Sequence, residues 1–284
     1  MTSGLQQNTN VVYDVPPGMS MMNTTKEWKR YHQLSLSILK QFGFGVKSTM
    51  ESRILAELEF IREYLLKQNG RSFNPRELVY LSTTNVLTSI LFGQRRDYNL
   101  GITELGHQTK LLFDSFDTDL EVAPFLRFLP FHRNKLRQNI AAEKTLEQIF
   151  RVKVEEIQSD SANDCFVSRY LKHEGPDYDA EQLRFALRDL VAAGTDSTVN
   201  TLLWTLVALA NNPRVQNRLR AEIDALIPRD RLPSMTDQPK LPYVDATCVE
   251  IMRWKTLAPL ALPHMTTSDT SVGGYFVPAG TKVI

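Results

Sequence analysis

Along most of the chain apolar residues recur at helical spacing, and short breaks separate one run from the next. Thr25 is placed to cap a helix from Lys26 to about Gln41, after a Pro16-Pro17-Gly18 turn and before the glycines of FGFG. The same pattern predicts helices over about 51–68, 74–91, 103–113, 133–158, 164–172, 180–210, 213–226 and 242–255. Only the closing stretch, VGGYFVPAGTKVI, reads as strands, with Gly273-Gly274 and Pro278-Ala279-Gly280 as turns between β-branched and aromatic residues. The pattern therefore predicts a mainly α chain with a small β region at its C-terminus. No internal repeat stands out.

The 180–210 segment carries the first chemical clue. Asp179 can accept at its N-terminus with Gln182 three residues on, and Asn212-Pro213 closes it while starting the next helix. At about 1.5 Å per residue such a helix reaches about 45 Å, enough to cross a domain. Leu183, Leu187, Leu190 and Val191 precede, and Leu202, Leu203, Leu206, Val207 and Leu209 follow, the polar run VAAGTDSTVNT. The run is therefore expected to be buried, where an Asp needs a partner and a Gly costs about 1 kcal/mol relative to Ala. One reading is a kinked helix, in which Thr195, Ser197 or Thr198 bonds back to a preceding carbonyl and Gly194 admits a neighbouring helix. The other is that Ala193 and Gly194 let a flat ligand approach while Asp196 and Ser197 manage protons beside it. A second clue is Glu250-Ile251-Met252-Arg253, whose ends share a helix face and can pair. Apolar flanks, with Pro259, Pro263 and His264 after them, predict a partly buried pair.

Composition narrows the choices. At 284 residues, 42% hydrophobic and 23% charged, the chain has the make-up of a globular protein. Thirty-three basic against thirty-two acidic residues give a net charge of +1, so no global field recruits nucleic acid or an anionic membrane. Cys165 and Cys248 are too few for a disulfide framework. No apolar run approaches the roughly 18 residues of a membrane span, and the start MTSGLQQNTN has no signal-peptide core. His32, His107, His132, His173 and His264 form no pair at metal-ligand spacing, so no metal site is expected. GFGVKS at 43–48 fails the phosphate-loop spacing and reads as a connecting turn, and there is no Gly-x-Ser-x-Gly elbow. Lys26, Lys29, Arg30 and Lys40 form a modest basic cluster, by default a solvated helix face.

Several segments in order resemble one family. AGTDST (193–198), LPYVDATCVEIMR, PLALPH followed by GYFVPAGT, EWKRYHQLSLSILKQFGFG, NDCFVSRYL and FLRFLP are similar to motifs of the cytochrome P450 family of haem-thiolate monooxygenases. The nearest branch is the microsomal animal one that handles small lipophilic compounds. The resemblance implies a truncated P450 fold, one incomplete domain over 1–284 with 1–20 flexible. It implies haem in the complete protein, a small lipophilic substrate, an NADPH-dependent reductase docking on the basic side, no nucleic acid, and an endoplasmic-reticulum membrane reached only through segments absent from this sequence.

Carried over residue by residue, the resemblance makes Asp196 and Ser197 the proton-relaying pair over haem, with Ala193 and Gly194 leaving room for it. Ser197 stands where the family usually has Thr and lacks the methyl that fixes the rotamer, which bears on coupling. Trp28 and His264 would donate to propionates. His32 stands where the family has Arg, and Arg30, the nearest permanent charge, lies on the wrong helix face. Glu250 and Arg253 would be structural. Leu190 and Leu257, Ala258, Leu260, Ala261 and Leu262 would line the substrate pocket. The family's thiolate loop, Phe-x-x-Gly-x-x-x-Cys-x-Gly, does not occur in these residues, and Cys165 and Cys248 are expected to be small buried hydrophobes. Two functions follow as alternatives: a monooxygenase, or a non-catalytic truncated helical protein without native haem ligation that serves at most as an interaction module.

Overall fold

The computed structural model describes residues 25–44, 47–95, 104–114, 119–159, 164–176, 178–259 and 264–283. The chain is mostly helical. Helix α1 is Lys26–Gln41, α2 Lys47–Gln68, α3 Arg76–Leu91, α4 Glu104–Asp114 and α5 the single turn Asp119–Val122. A 3₁₀ turn at Pro124–Phe128 leads into α6, Pro130–Ser159, followed by α7, Phe166–Glu174, and the long α8, Ala180–Asn211. Then come α9, Pro213–Leu226, and α10, Pro242–Trp254.

Local chemistry sets these boundaries. Thr25 Oγ1 accepts from the Trp28 N–H at 3.0 Å, and Asp179 Oδ1 accepts from the Glu181 and Gln182 N–H groups at 2.9 and 3.1 Å. Proline stands at the first position of α9 and α10, where its missing N–H costs nothing. Cys165 caps α7: its Sγ accepts from the Ser168 N–H at 3.4 Å while its own N–H donates to Ser168 Oγ at 3.0 Å. The short helical turns over 119–128, and the start of α6 at Pro130, go beyond what the periodicity predicts.

Two antiparallel β pairs follow α10. Strand β1, His264–Met265, pairs with β4, Lys282–Val283, and β2, Thr270–Val272, pairs with β3, Tyr275–Val277. Gly273 and Gly274 join β2 to β3 with φ of 58° and 87°, a two-residue turn that only residues tolerant of positive φ can make.

Helix α8 packs against α3, α4, α6, α9 and α10, which makes it the central element. One main core joins it to α1, α3, α6 and α7 through Leu34, Ile38, Leu91, Phe150, Phe166 and Leu187. The burial is uneven along α8: Leu183, Leu187, Val191, Thr195 and Val199 are buried, whereas Leu202, Leu206 and Val207 are exposed. The sequence predicts leucine burial on both sides of the polar run; here the core is built on the N-terminal side. Beyond the run, Trp204 meets Trp254 of α10 edge-on, ring centroids 6.3 Å apart.

Candidate functional site

Side chains of the polar run of α8 bond in two directions, while the buried Thr195 hydroxyl has no partner among the described residues. Along the helix, hydroxyls bond back every fourth residue: Ser197 Oγ donates to the Ala193 carbonyl at 2.6 Å, Thr201 to Ser197 at 2.9 Å and Thr205 to Thr201 at 2.8 Å. Across the fold, Asp196 turns to α3, where the Tyr80 phenol donates to its Oδ1 at 3.0 Å. Asn200, one turn on, donates to Oδ2 at 2.8 Å. Burial, and then the Asp196 carboxylate, push the Tyr80 phenol well above its ordinary value. Gly194 also backs onto α3: a Cβ there would stand 3.4 Å from both Leu87 methyls. Ala193 is exposed, with Ser197 half-buried one turn along. The helix runs unbroken through the segment, so the back-bonding expected of the structural reading is present without a break in the helix.

Helix α1 brings Trp28 and His32 together. Their rings stack at 4.7 Å with planes 9° apart, both half-buried. Arg30 turns elsewhere, pairing with Glu174 of α7 at 2.5 Å, so it does not join them. His264 stands on a different element, the exposed start of β1.

Glu250 and Arg253 form a two-pronged pair, Arg253 Nε and Nη2 each donating at 2.7 Å, and Arg253 holds the Glu250 carboxyl below its ordinary value. The expected burial does not occur: their side chains are 59% and 70% exposed. The reason is local, since Ile251 alone among the residues of α10 is buried. Leu257 and Ala258 are likewise exposed, Leu190 is half-buried against the core, and Leu260, Ala261 and Leu262 lie outside the described residues. Among the described residues of the expected pocket lining, Leu257 and Ala258 are thus open to solvent and Leu190 is packed on the core. Of the cysteines, Cys165 is buried as expected, whereas Cys248 is exposed and corrects that expectation.

A cavity of about 520 Å³ lies instead between α6 and α8. Phe150, Val154, Leu183 and Leu187 form its apolar wall, and it includes none of the candidate residues. Sequence reasoning missed Tyr80 and Leu87. It also missed Asn200, although its spacing of four from Asp196 was a legible signal.

Part of this constellation suits haem. Trp28 and His32 carry ring N–H donors side by side on one helix, as a propionate requires, and the small Ala193 beside the Ser197 hydroxyl leaves an open flank for a flat group. The iron's axial partner is another matter: Cys165 is sealed in a helix cap, and Cys248 sits on the exposed surface of α10. No described helix is long and apolar enough to cross a membrane.

Comparison with known proteins agrees with the ordered motifs. The family model for cytochrome P450 matches residues 8–284. Rat cytochrome P450 2U1 is 33% identical over 278 residues, covering 90% of this chain and 51% of the relative. Rat cytochrome P450 2E1 is 35% identical over 281 residues (93% and 56%), and rat cytochrome P450 2B2 32% over 273 (91% and 55%). The chain thus spans about half the length of the curated relatives it matches. With its motifs in family order and the family model matched along nearly all of its length, the chain belongs to the cytochrome P450 family.

Proposed function

We propose that the protein carrying this chain is a haem-dependent monooxygenase that inserts one oxygen atom from dioxygen into a small lipophilic molecule. Electrons come from NADPH through a reductase, at the endoplasmic-reticulum membrane. The observation that carries this reading is the α8 segment itself: the small Ala193 and the Ser197 hydroxyl stand on a free flank of a central helix whose other side is tied to α3. Bound haem supplies the oxygen-activating redox chemistry. The chain's residues do the rest. Trp28, His32 and His264 would hold the propionates, and Gly194 keeps the helix slim between Leu87 and the flank. Ser197 would pass its Oγ proton to an acceptor on the open side and take one back from solvent water there, giving up its bond to the Ala193 carbonyl as it turns, as a serine without a γ-methyl readily does. Leu190, Leu257, Ala258, Leu260, Ala261 and Leu262 would offer apolar side chains to the substrate, and Glu250 pairs with Arg253 on the surface of α10.

A second reading applies to the 284 residues by themselves: a helical protein without native haem ligation. The placement of both cysteines favours it, one sealed in a cap and one on the surface. The deciding experiment is to express the chain with added haem, reduce it and record the carbon-monoxide difference spectrum. The expected result is no thiolate-type band from this chain alone, and a clear band would overturn the assignment of Cys165 and Cys248. In the haem-loaded full-length protein, Ser197→Ala should cut product formed per NADPH and release peroxide, with productive turnover falling up to about 10²-fold. Unchanged coupling would sink the role given to Ser197.

A further inference from the structure

We infer that Tyr80 is a positioning residue for Asp196: its phenol tethers the carboxylate to α3, so that of the two neighbouring acid–base residues only Ser197 serves the open flank of α8. The inference deepens the proposed relay and rests on that reading for its functional meaning. Tyr80 is 3% exposed, and its hydroxyl lies 3.0 Å from Asp196 Oδ1. The other carboxylate oxygen is taken by Asn200 at 2.8 Å. With each oxygen accepting a bond, Asp196 is held facing α3 by donors from two helices, and turning to the Ser197 side would leave a buried phenol without its acceptor. Leu87, two turns along α3 from Tyr80, fills the space over Gly194, so α3 closes this side of the segment from both ends. The carboxylate therefore works as a fixed anion behind the helix rather than as a mobile proton carrier beside Ser197. Loss of the phenol releases it.

Two measurements on the 284-residue chain test this, and neither requires haem. The first is infrared spectroscopy of protein labelled with ring-¹³C tyrosine, the Tyr80 band being identified by its loss in Tyr80→Phe. Asp196→Asn should shift that band, because an amide oxygen is a weaker acceptor than a carboxylate. A band that stays in place overturns the tether. The second is carbodiimide labelling of carboxylates read by mass spectrometry. In Tyr80→Phe the labelling of Asp196 should rise roughly tenfold, the change in population that loss of one hydrogen bond to a charged acceptor permits, while Asp237 and Glu57 keep their wild-type labelling. Equal labelling of Asp196 in both proteins overturns the inference. Should Tyr80→Phe raise the labelling of every carboxylate, the variant has lost its fold and the infrared arm on Asp196→Asn decides. Unchanged coupling of Ser197→Ala in the haem-loaded full-length protein, with both arms positive, would sink the relay reading and leave the tether standing.

Discussion

Leu87 occupies the space that a side chain on Gly194 would need, with both of its methyls 3.4 Å from the Cβ position. The glycine in the middle of α8 is thus a point of close helix approach. An alanine at 194 just touches Leu87, while gaining helix propensity and losing unfolded-state freedom. Gly194→Ala should raise stability by up to about 1 kcal/mol, and Gly194→Leu should lower it by 1–3 kcal/mol or so through overpacking. Chemical denaturation of the two variants checks this. A destabilising alanine would show that α3 cannot give even slightly.

Where the sequence was legible, the determinants were local. Thr25, Asp179 and Pro213 mark helix starts because capping acts within three residues, and all three boundaries stand in the structure. Where it was not, the partner lay far along the chain. Tyr80 and Asp196 are separated by 116 positions, and nothing in the spacing of α3 singles out a tyrosine as the acceptor's neighbour. The Glu250–Arg253 pair shows a different limit: spacing tells that two residues share a helix face, while burial depends on what covers that face, and here little does.

That exposure changes the expected effect of breaking the pair. With Arg253 in solvent, Glu250→Ala should leave the unfolding midpoint of this chain unmoved, since an exposed pair competes with water on both sides. Glu57 is the contrasting case. It is 3% exposed, accepting from Asn85 Nδ2 at 3.1 Å and Arg95 Nε at 2.8 Å, with the Arg95 guanidinium 3.2 Å from the centre of the Phe60 ring. Glu57→Ala removes an acceptor from one and a counter-charge from the other, and should cost about 2–3 kcal/mol. Parallel denaturation curves give the comparison. Equal losses would mean that burial is not what separates the two pairs.

Acid stability offers a test in the loop between α9 and α10. Asp237 accepts from both Arg231 Nη atoms at 2.7 and 2.9 Å and from the Ser234 N–H at 2.9 Å, and these bonds hold its carboxyl down to about 2 from 3.8. A depressed carboxyl contributes stability that is fully present above its unfolded value and is lost as pH falls through the folded one. Wild type should therefore exceed Asp237→Asn above pH 4, with the gap closing between about pH 4 and 2. Glu143, raised mainly by burial, acts in the opposite sense, favouring the fold below its ordinary value and losing that contribution as pH rises. The difference between wild type and Asp237→Asn isolates the loop from it. A gap that persists to pH 2 would contradict the assigned cause.

The stacked Trp28 and His32 rings give the haem reading its most direct test outside catalysis. If both rings face a propionate, His32→Ala leaves the Trp28 indole N–H as the only donor of the two and should weaken haem uptake by roughly tenfold, the scale of one charge-assisted hydrogen bond. His32→Arg restores a donor with a permanent charge and a planar fork suited to a carboxylate, and should bind at least as tightly as wild type. Arg30 cannot compensate while Glu174 holds it, so the effect of His32→Ala should be the same in an Arg30→Ala background. Soret absorbance during titration of the chain with haem, followed by desalting, reads all of these. Equal uptake by wild type, His32→Ala and His32→Arg would remove His32 from the propionate site, and the Trp28 stack would then be a packing contact on the surface of α1.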